Sequence, residues 1–323
     1  MSSSPLSPSD LPAHFLRRQQ EPRRVVVIGA GPVGLEAALY AQRLGCSVRV
    51  FEREEFVGPD VCAWGHVSMF TPWAANRTPL AVLALHDAAR QAHRSPPIFP
   101  PDAVYPTGGE FLDRYLHPLA HLLGDSLLLS TRVVGVGRSY LFADEHADAP
   151  EKRTARRFRL LTRSPLEERM FTADFVLDAS GVSHSHAWLG AGGLPALGEM
   201  GSARAIFYDL PDIGGRDRIH FLGKRTLLVG DGASAATSAL ALADVCEKDP
   251  PGTFIWAAKS RADLPLPMVP DDPLPRRELL FKRANLLAAQ GHPCMEEYLG
   301  TTQVDALAYS LGTGQFEVSL QVN

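Results

Sequence analysis

Cysteine is scarce in this chain of 323 residues: four occur, at positions 46, 62, 246 and 294. No two of them form a C-x-x-C or any other close pair. That excludes the simplest thiol–disulfide redox arrangement and a cysteine zinc site built from a local pair. Cys46 and Cys246 fall within helix or strand patterns and read as small, inert hydrophobes. Long apolar runs are also missing: none reaches the roughly 20 residues that a membrane-spanning helix needs. Neither sign of charge dominates, with a formal net charge of -4. No global basic field exists to attract nucleic acid or an anionic membrane surface. The N-terminal stretch MSSSPLSPSDLPAHFLRRQQEPRR has no apolar core of the kind a signal peptide requires. The cytoplasm is therefore the expected compartment, with neither nucleic acid nor a membrane span among the expected partners. No paired carboxylates, metal-ligand cluster or nucleophile–base arrangement stands out, so no metal is expected.

What is present begins at residue 24: RVVVIGAGPVGLEAALYAQRLGCSVRVFE. Residues 25–28 form a β-branched run, the pattern of a strand buried on both faces. Gly29, Gly31 and Gly34 follow as G-x-G-x-x-G. In that pattern the first glycine permits the tight turn. The second lets backbone approach a pyrophosphate, and the third lets helix and strand pack closely. Residues 35–44 are good helix formers, and Gly45 stands where a glycine ends a helix. Residues 48–51 form a second strand ending in Glu52, a carboxylate placed to accept hydrogen bonds from an adenosine ribose. Strand, glycines, helix, strand and terminal acid together are a far stronger signal than the glycines alone.

A second such unit begins at residue 226: TLLVGDGASAATSALALADV. A strand over 227–229 leads to Gly230, Gly232 and Ala236, then to a helix rich in Ala and Leu, then to a strand over 253–256. No carboxylate stands near 257–258; Lys259 and Arg261 follow instead. A ribose 2′-phosphate needs positive charge there and an acid would repel it, so NADP is favoured over NAD. Arg276 and Arg277 could add to the same anion site or be solvated.

Between the units the chain reads as follows. Residues 1–22 form a mobile Ser/Pro-rich tail. Residues 53–108 are a long, proline-punctuated excursion carrying Trp64, His66, Phe70 and Trp73. Trp64 and Trp73 leave two readings open, flanking a planar ring or packing the loop. His66 reads as a structural hydrogen-bonding residue rather than an acid or base. An amphipathic helix is expected over 109–123, kinked or broken at Pro118. A single strand is expected over 126–136, a charged loop over 143–157, and a hairpin from strands 159–162 and 170–172. Residues 175–177 read as a short buried strand, with Ala179-Ser180-Gly181 as a tight exit that allows close backbone approach. The glycine-rich segment 190–201 follows no strand and reads as a loop, not a third phosphate cradle. A proline-rich loop over 265–275, a helix over 276–290 stopped by Gly291, and a strand over 315–322 complete the chain.

Five stretches carry a resemblance that spans nearly the whole chain: VVVIGAGPVGLEAA with VFERE, VGPDVCAW, VYPTGGEFLDRYLHPLA, FVLDASG and FLGKRTLLVGDGASA. On these the chain resembles the two-dinucleotide-binding-domain flavoprotein superfamily. It is most similar to the flavin-containing and N-hydroxylating monooxygenases, and it shares the pyridine nucleotide-disulfide oxidoreductase fold without the redox cysteines. The resemblance implies an α/β fold with two Rossmann-like domains and the cofactors FAD and NADPH. The FAD-binding domain would cover 23–200, with the insertion at about 53–108, and the NAD(P)H-binding domain 201–323. It carries FAD onto Gly29, Ala30, Gly31, Pro32, Gly34, Glu52 and Arg53, with Trp64, Ser180 and Gly181. NADPH falls on Gly230, Gly232, Ser234, Ala235, Ala236, Lys259 and Arg261. Asn76, in AANRTP, sits near where these monooxygenases place an asparagine beside the flavin; an asparagine cap is the alternative reading.

Two departures bear on function. The monooxygenase signature between the two nucleotide motifs is not recognisable around 203–220. The late segment that completes the flavin site in this superfamily has no counterpart after residue 245. The chain stops on a strand whose partners would be expected downstream, which reads as a truncated product or an incompletely assembled coding sequence. Three functions follow from the resemblance. One is an NADPH-dependent monooxygenase acting on a small organic substrate. Another is a reductase or dehydrogenase passing electrons to a quinone or protein. The third is a nucleotide-binding fragment without catalysis. The resemblance also allows a homodimer.

Overall fold

The computed structural model describes residues 21–142, 144–146, 148–182, 185–248, 250–259 and 264–322. The tail expected over 1–22 lies outside the described residues but for its last two positions. Two compact units emerge. One comprises the described chain up to Pro59 with Arg77–Phe99 and Phe111–Gly181; the other comprises Asp60–Asn76, Pro100–Glu110 and the chain from Val182 onward.

The first unit is built on a parallel sheet of β1 (Arg24–Ile28), β2 (Ser47–Phe51), β3 (Leu127–Leu128) and β7 (Phe175–Asp178), in the order β3-β2-β1-β7. Helix α1 (Pro32–Arg43) connects β1 to β2 and buries Leu35, Ala38 and Leu39. It ends as its sequence predicts, with Gly45 at φ +76 and its N–H bonded to the Gln42 carbonyl at 2.9 Å. An antiparallel meander of β4 (Arg132–Arg138), β5 (Phe158–Arg163) and β6 (Glu168–Ala173) packs on the sheet through Val26, Phe51, Leu160 and Ala173. The Phe51 and Phe171 rings meet edge-on at 4.8 Å. Each large side chain buried this way contributes about 1.5–3 kcal/mol.

Several expectations are corrected in this unit. The excursion after Glu52 contains a regular 13-residue helix, α2 (Pro79–Gln91). Pro79 starts it rather than breaking it, because Thr78 caps it through the Ala81 N–H at 3.1 Å and the first helical position needs no donor. The strand expected over 126–136 is two strands in two sheets. The chain leaves the parallel sheet after Leu128, turns at Ser130 (φ +49) and enters the meander at Arg132. Part of the charged segment before β5 is a helical turn, Pro150–Thr154. Strand β7 is not buried: Phe175 is 50% and Leu177 41% exposed, on one face of a strand that lies at the sheet edge and, among the described residues, pairs with β1. The helical segment runs on through Pro118 without a break. A π-helical turn, Leu112–Leu116, precedes α3 (His117–Leu123), with Pro118 in the first turn of α3.

The second unit holds a parallel sheet of β8 (Arg225–Val229), β9 (Thr253–Ala257) and β10 (Met295–Leu299), in the order β10-β9-β8. Helix α4 (Ala233–Cys246) follows β8, and α5 (Pro275–Gln290) lies between β9 and β10. The small residues Ala235, Ala236, Ala239 and Ala243 let α4 pack closely over Phe254 and Trp256. A hairpin of β11 (Thr302–Ser310) and β12 (Gln315–Val322) ends the chain. The last strand pairs with β11, which precedes it in the chain. β10 and β11 escape a sequence reading because each carries a register irregularity, and Glu296 and Glu297 of β10 are exposed. The glycine-rich segment 190–201 is mostly loop, with a 3₁₀ turn at Ala191–Gly193 and a short helix at Glu199–Ser202. It folds around the fully buried Glu199 carboxylate, which accepts the Leu189 and Ala196 N–H groups and the Tyr208 hydroxyl. Burial, and then the bond to Glu199, push the Tyr208 hydroxyl above its ordinary pKa.

Candidate functional site

The glycines of the first unit divide into two kinds. Gly29 (φ +98) and Gly34 are required by the protein itself. A Cβ at Gly29 would lie 2.5 Å from the Ala179 carbonyl oxygen, and one at Gly34 would lie 2.0 Å from that of Gly29. Gly31 is different. Its φ of -78 suits any residue, and beyond its own neighbours in the chain no described atom lies within 4 Å of where its Cβ would be. Packing does not demand glycine there; a ligand approaching the backbone would.

The loop is held from β2. The Gly29 N–H bonds the Phe51 carbonyl at 2.8 Å, and the Ala30 N–H bonds Glu52 Oε2 at 2.8 Å. Glu52 Oε1 accepts the Glu54 N–H at 3.0 Å, and the residue is only 5% exposed. A carboxylate offers about four acceptor positions, so about two remain for ribose hydroxyls. Gly31 is the N-cap of α1 and has no side chain to satisfy the first N–H groups, with Pro32 in the first turn. Those groups suit a phosphate. The donor set therefore fits an adenine dinucleotide. Arg53 is exposed, its Nε on Glu54 Oε1 at 3.1 Å. Ser180 bonds Asp178 Oδ1 through its hydroxyl at 2.6 Å and its N–H at 3.1 Å, which together hold the Asp178 carboxyl below its ordinary range. Gly181 has φ +73. The small residues at this exit are needed because Ala179 backs directly onto Gly29.

The second unit repeats this geometry position for position. The Gly230 N–H bonds the Ala257 carbonyl at 2.9 Å, as Gly29 bonds Phe51. Gly232 (φ -114) is the N-cap of α4, and again, beyond its own neighbours in the chain, no described atom lies within 4 Å of its Cβ position. Ser234 is exposed in the first turn, Ala235 stands where the first unit has Gly34, and the Ala236 N–H bonds the Gly232 carbonyl at 3.0 Å. Ala258 occupies the place of Glu52: its N–H bonds Leu299 at 2.9 Å, as that of Glu52 bonds Leu128 at 2.9 Å. Lys259 follows, exposed, at the place of Arg53. Arg261 lies outside the described residues.

The remaining candidates are committed within the protein. Arg277 forms a two-point bond to Asp272, at 2.8 and 2.7 Å, which holds that carboxyl below its ordinary range. Arg276 lies over the Tyr105 ring, 4.1 Å from its centroid, and donates to the Ser68 hydroxyl. Trp73 is fully buried, with its N–H on the Val104 carbonyl, so it packs its segment. The half-buried Trp64 lies against Gly108, where a Cβ would come within 2.6 Å of its ring. His66 is exposed. Asn76 donates both amide hydrogens, to the Thr71 and Pro72 carbonyls at 2.9 Å, and accepts the Thr71 hydroxyl at 2.8 Å. That is the geometry of a loop clamp. One residue that sequence reasoning treated only as part of a strand is Trp256, whose indole Nε1 donates to the Gly230 carbonyl at 2.8 Å.

Residues 12–63 match the family model described as pyridine nucleotide-disulphide oxidoreductase. No curated protein matches the chain in sequence. Among solved structures, the chain is similar to the bacillithiol disulfide reductase of Bacillus cereus, with a TM-score of 0.61 at 14% identity over 93% of this chain and 75% of that one. The Staphylococcus aureus reductase of the same name gives a TM-score of 0.58 at 14% identity, covering 93% of this chain and 74% of that one. The FAD-bound cadaverine monooxygenase of desferrioxamine biosynthesis from Erwinia amylovora gives 0.57 at 13%, again over 93% and 74%. At such identities the likeness is one of fold. The chain has the two-dinucleotide-binding-domain flavoprotein fold, and its first nucleotide unit carries the sequence pattern of the pyridine nucleotide-disulphide oxidoreductase family.

Proposed function

We propose that this chain is an FAD-dependent oxidoreductase that draws electrons from NADPH and acts as a monooxygenase on a small organic molecule. The observation that carries the reading is the pair of glycines, Gly31 and Gly232, that neither backbone angle nor packing requires. Each opens a helix N-terminus beside a strand end, where open α/β sheets take ligands. In the first unit Gly29, Ala30, Gly31, Pro32 and Gly34 shape the phosphate cradle, and Glu52 faces the ribose. In the second, Gly230, Gly232, Ser234 and Ala235 shape the cradle, with Lys259 as the cation for a 2′-phosphate. FAD, when bound, would supply hydride and electron transfer. The chain's own residues bind and orient the two nucleotides. The monooxygenase assignment is supported by the resemblance of VGPDVCAW, of VYPTGGEFLDRYLHPLA and of FLGKRTLLVGDGASA.

One observation favours the alternative, a reductase or dehydrogenase. Asn76, the side chain a monooxygenase would present beside the flavin, is taken up by Thr71 and Pro72. The deciding experiment is the visible spectrum of the purified chain, before and after adding NADPH without oxygen, followed by oxygen uptake. Flavin bands that bleach with NADPH support both nucleotide sites. Oxygen uptake requiring both NADPH and a substrate supports the monooxygenase. NADPH oxidation that persists without oxygen, given an artificial acceptor, supports the reductase. A folded chain that takes up no FAD even when it is added sinks the catalytic reading.

A further inference from the structure

The two nucleotide loops differ in how each disposes of one carbonyl group. In the first, the Gly29 carbonyl oxygen fills the space that a Cβ on residue 34 would need, 2.0 Å away. In the second, the residue at that place is Ala235, which has the Cβ. The Gly230 carbonyl cannot take the same direction. Gly230 adopts φ +145, where Gly29 has +98, and its carbonyl is received by the Trp256 indole N–H at 2.8 Å. Trp256 is fully buried on β9, one residue before Ala257, which takes the Gly230 N–H. Both backbone polar groups of Gly230 are thus tied to one strand. The indole is itself held by Tyr298 of β10, whose ring meets it edge-on at 5.6 Å. In the first unit the comparable side-chain clamp is Glu52, which grips the loop through the Ala30 N–H. In the second unit Ala258 has no group that could do so.

We infer that Trp256 is a positioning residue for the second nucleotide. Its indole N–H holds the Gly230 carbonyl in the direction that Ala235 forces on it, and so aims the N–H groups at the start of α4 toward the nucleotide's phosphates. The second loop is thereby held without a carboxylate at the end of β9, which suits a 2′-phosphorylated nucleotide. This inference rests on the reading of the second unit as the NADPH site.

The test uses the full chain and the oxidised nucleotide NADP+, whose binding is followed by calorimetry alongside flavin content and thermal melting. Trp256→Phe keeps a ring in the core but cannot donate. It is expected to raise the Kd for NADP+ about tenfold, the scale of a buried acceptor left unmatched, with flavin content unchanged. Adding Ala235→Gly to Trp256→Phe should recover most of that loss, because the carbonyl then has the room that Gly34 leaves in the first loop. Leu228→Ala is the packing control. Leu228 pairs with Trp256 across β8 and β9 and packs on the same core, but touches no loop hydrogen bond, so Kd should stay within about twofold. Unaltered binding by Trp256→Phe, absence of rescue by Ala235→Gly, or an equal loss in Leu228→Ala would each overturn the inference. A parent chain that binds FAD but no NADP+ overturns the reading of the second unit and the inference with it. Should Trp256→Phe fail to fold, the unsubstituted chain decides. Its Trp256 indole proton must exchange slowly with solvent and shift on NADP+ addition. Rapid exchange would overturn the inference.

Discussion

The two nucleotide units of this chain share a backbone plan and differ in the side chains that enforce it. Both run strand, glycine loop, helix and strand, and both tie the first loop N–H to the last residue of the second strand, Phe51 or Ala257. The first unit then uses an acid, Glu52, and a third glycine, Gly34. The second uses neither, and has Ala258, Ala235 and the Trp256 indole in their stead. The comparison teaches which features of such a loop are steric and which are chemical. Gly34 is steric, because its neighbour is immovable backbone. Gly31 and Gly232 are not steric: neither backbone angle nor packing requires them, which leaves room for the proposed ligands. The acid is optional for holding the loop, since an indole donor can grip it from another side.

The largest effect should come from moving the alanine of one loop into the other. Gly34→Ala places a Cβ against a carbonyl oxygen and should cost about 3 kcal/mol or more, with loss of bound flavin, by thermal or denaturant unfolding. The reverse exchange, Ala235→Gly, should cost only about 1 kcal/mol, the usual helix penalty of glycine. Equal costs would break the distinction between the loops.

Next come the open glycines. Gly31→Leu should abolish FAD retention while the apoprotein loses only the about 1 kcal/mol that an apolar N-cap costs, read from its melting temperature. Gly232→Leu should leave FAD in place and abolish NADPH binding. Normal flavin content in Gly31→Leu would sink the assignment of the first loop.

Smaller still is the selectivity between nucleotides. Lys259→Glu should weaken NADPH about five- to tenfold and leave NADH nearly unchanged, the scale of one exposed charge pair. A uniform loss would mean that Lys259 does not meet the 2′-phosphate.

The smallest effect concerns Arg277, which the sequence offered as part of the same anion site. Arg277→Gln should leave NADPH affinity within about twofold, because the guanidinium already belongs to Asp272. Its signature is in pH. The Asp272 carboxyl is held low in the folded protein by Arg277, so the pair stabilises fully above the ordinary carboxylate pKa of about 4 and loses that contribution as the pH falls below it. The gap in unfolding midpoint between parent and variant should therefore narrow on acidification. A gap independent of pH would remove the ion pair as its cause.

Much of the fold was legible because both nucleotide units are local. Their strands, glycines and helices lie within some thirty residues each, and the caps at Gly45 and Gly291 are written in the chain. What was misread depended on distant partners. Pro79 looks like punctuation until Thr78 is seen to cap the helix that it opens. Residues 126–136 read as one strand, and nothing local says that Leu128 pairs with β2 while Arg132 pairs with β5. Phe175 and Leu177 share the uncovered face of β7 while Val176 packs on the other, and which face is covered is decided by tertiary packing. In the candidate site, the glycines and Glu52 were named from spacing alone. Asn76 and Arg277 were candidates only while their partners Thr71, Pro72 and Asp272 were unknown.

The amino-acid sequence by itself determined two glycine loops of one plan, the first closing on an acid and the second on an alanine followed by a lysine. It could do so because loop shape depends on φ and on missing Cβ atoms, both set by residue type. The tertiary structure alone decided which glycines serve packing and which leave room for a ligand. It also decided which charged side chains are already paired, and that Trp256 holds the second loop. These depend on which atoms come within a few ångströms of one another, and spacing along a chain does not contain that information.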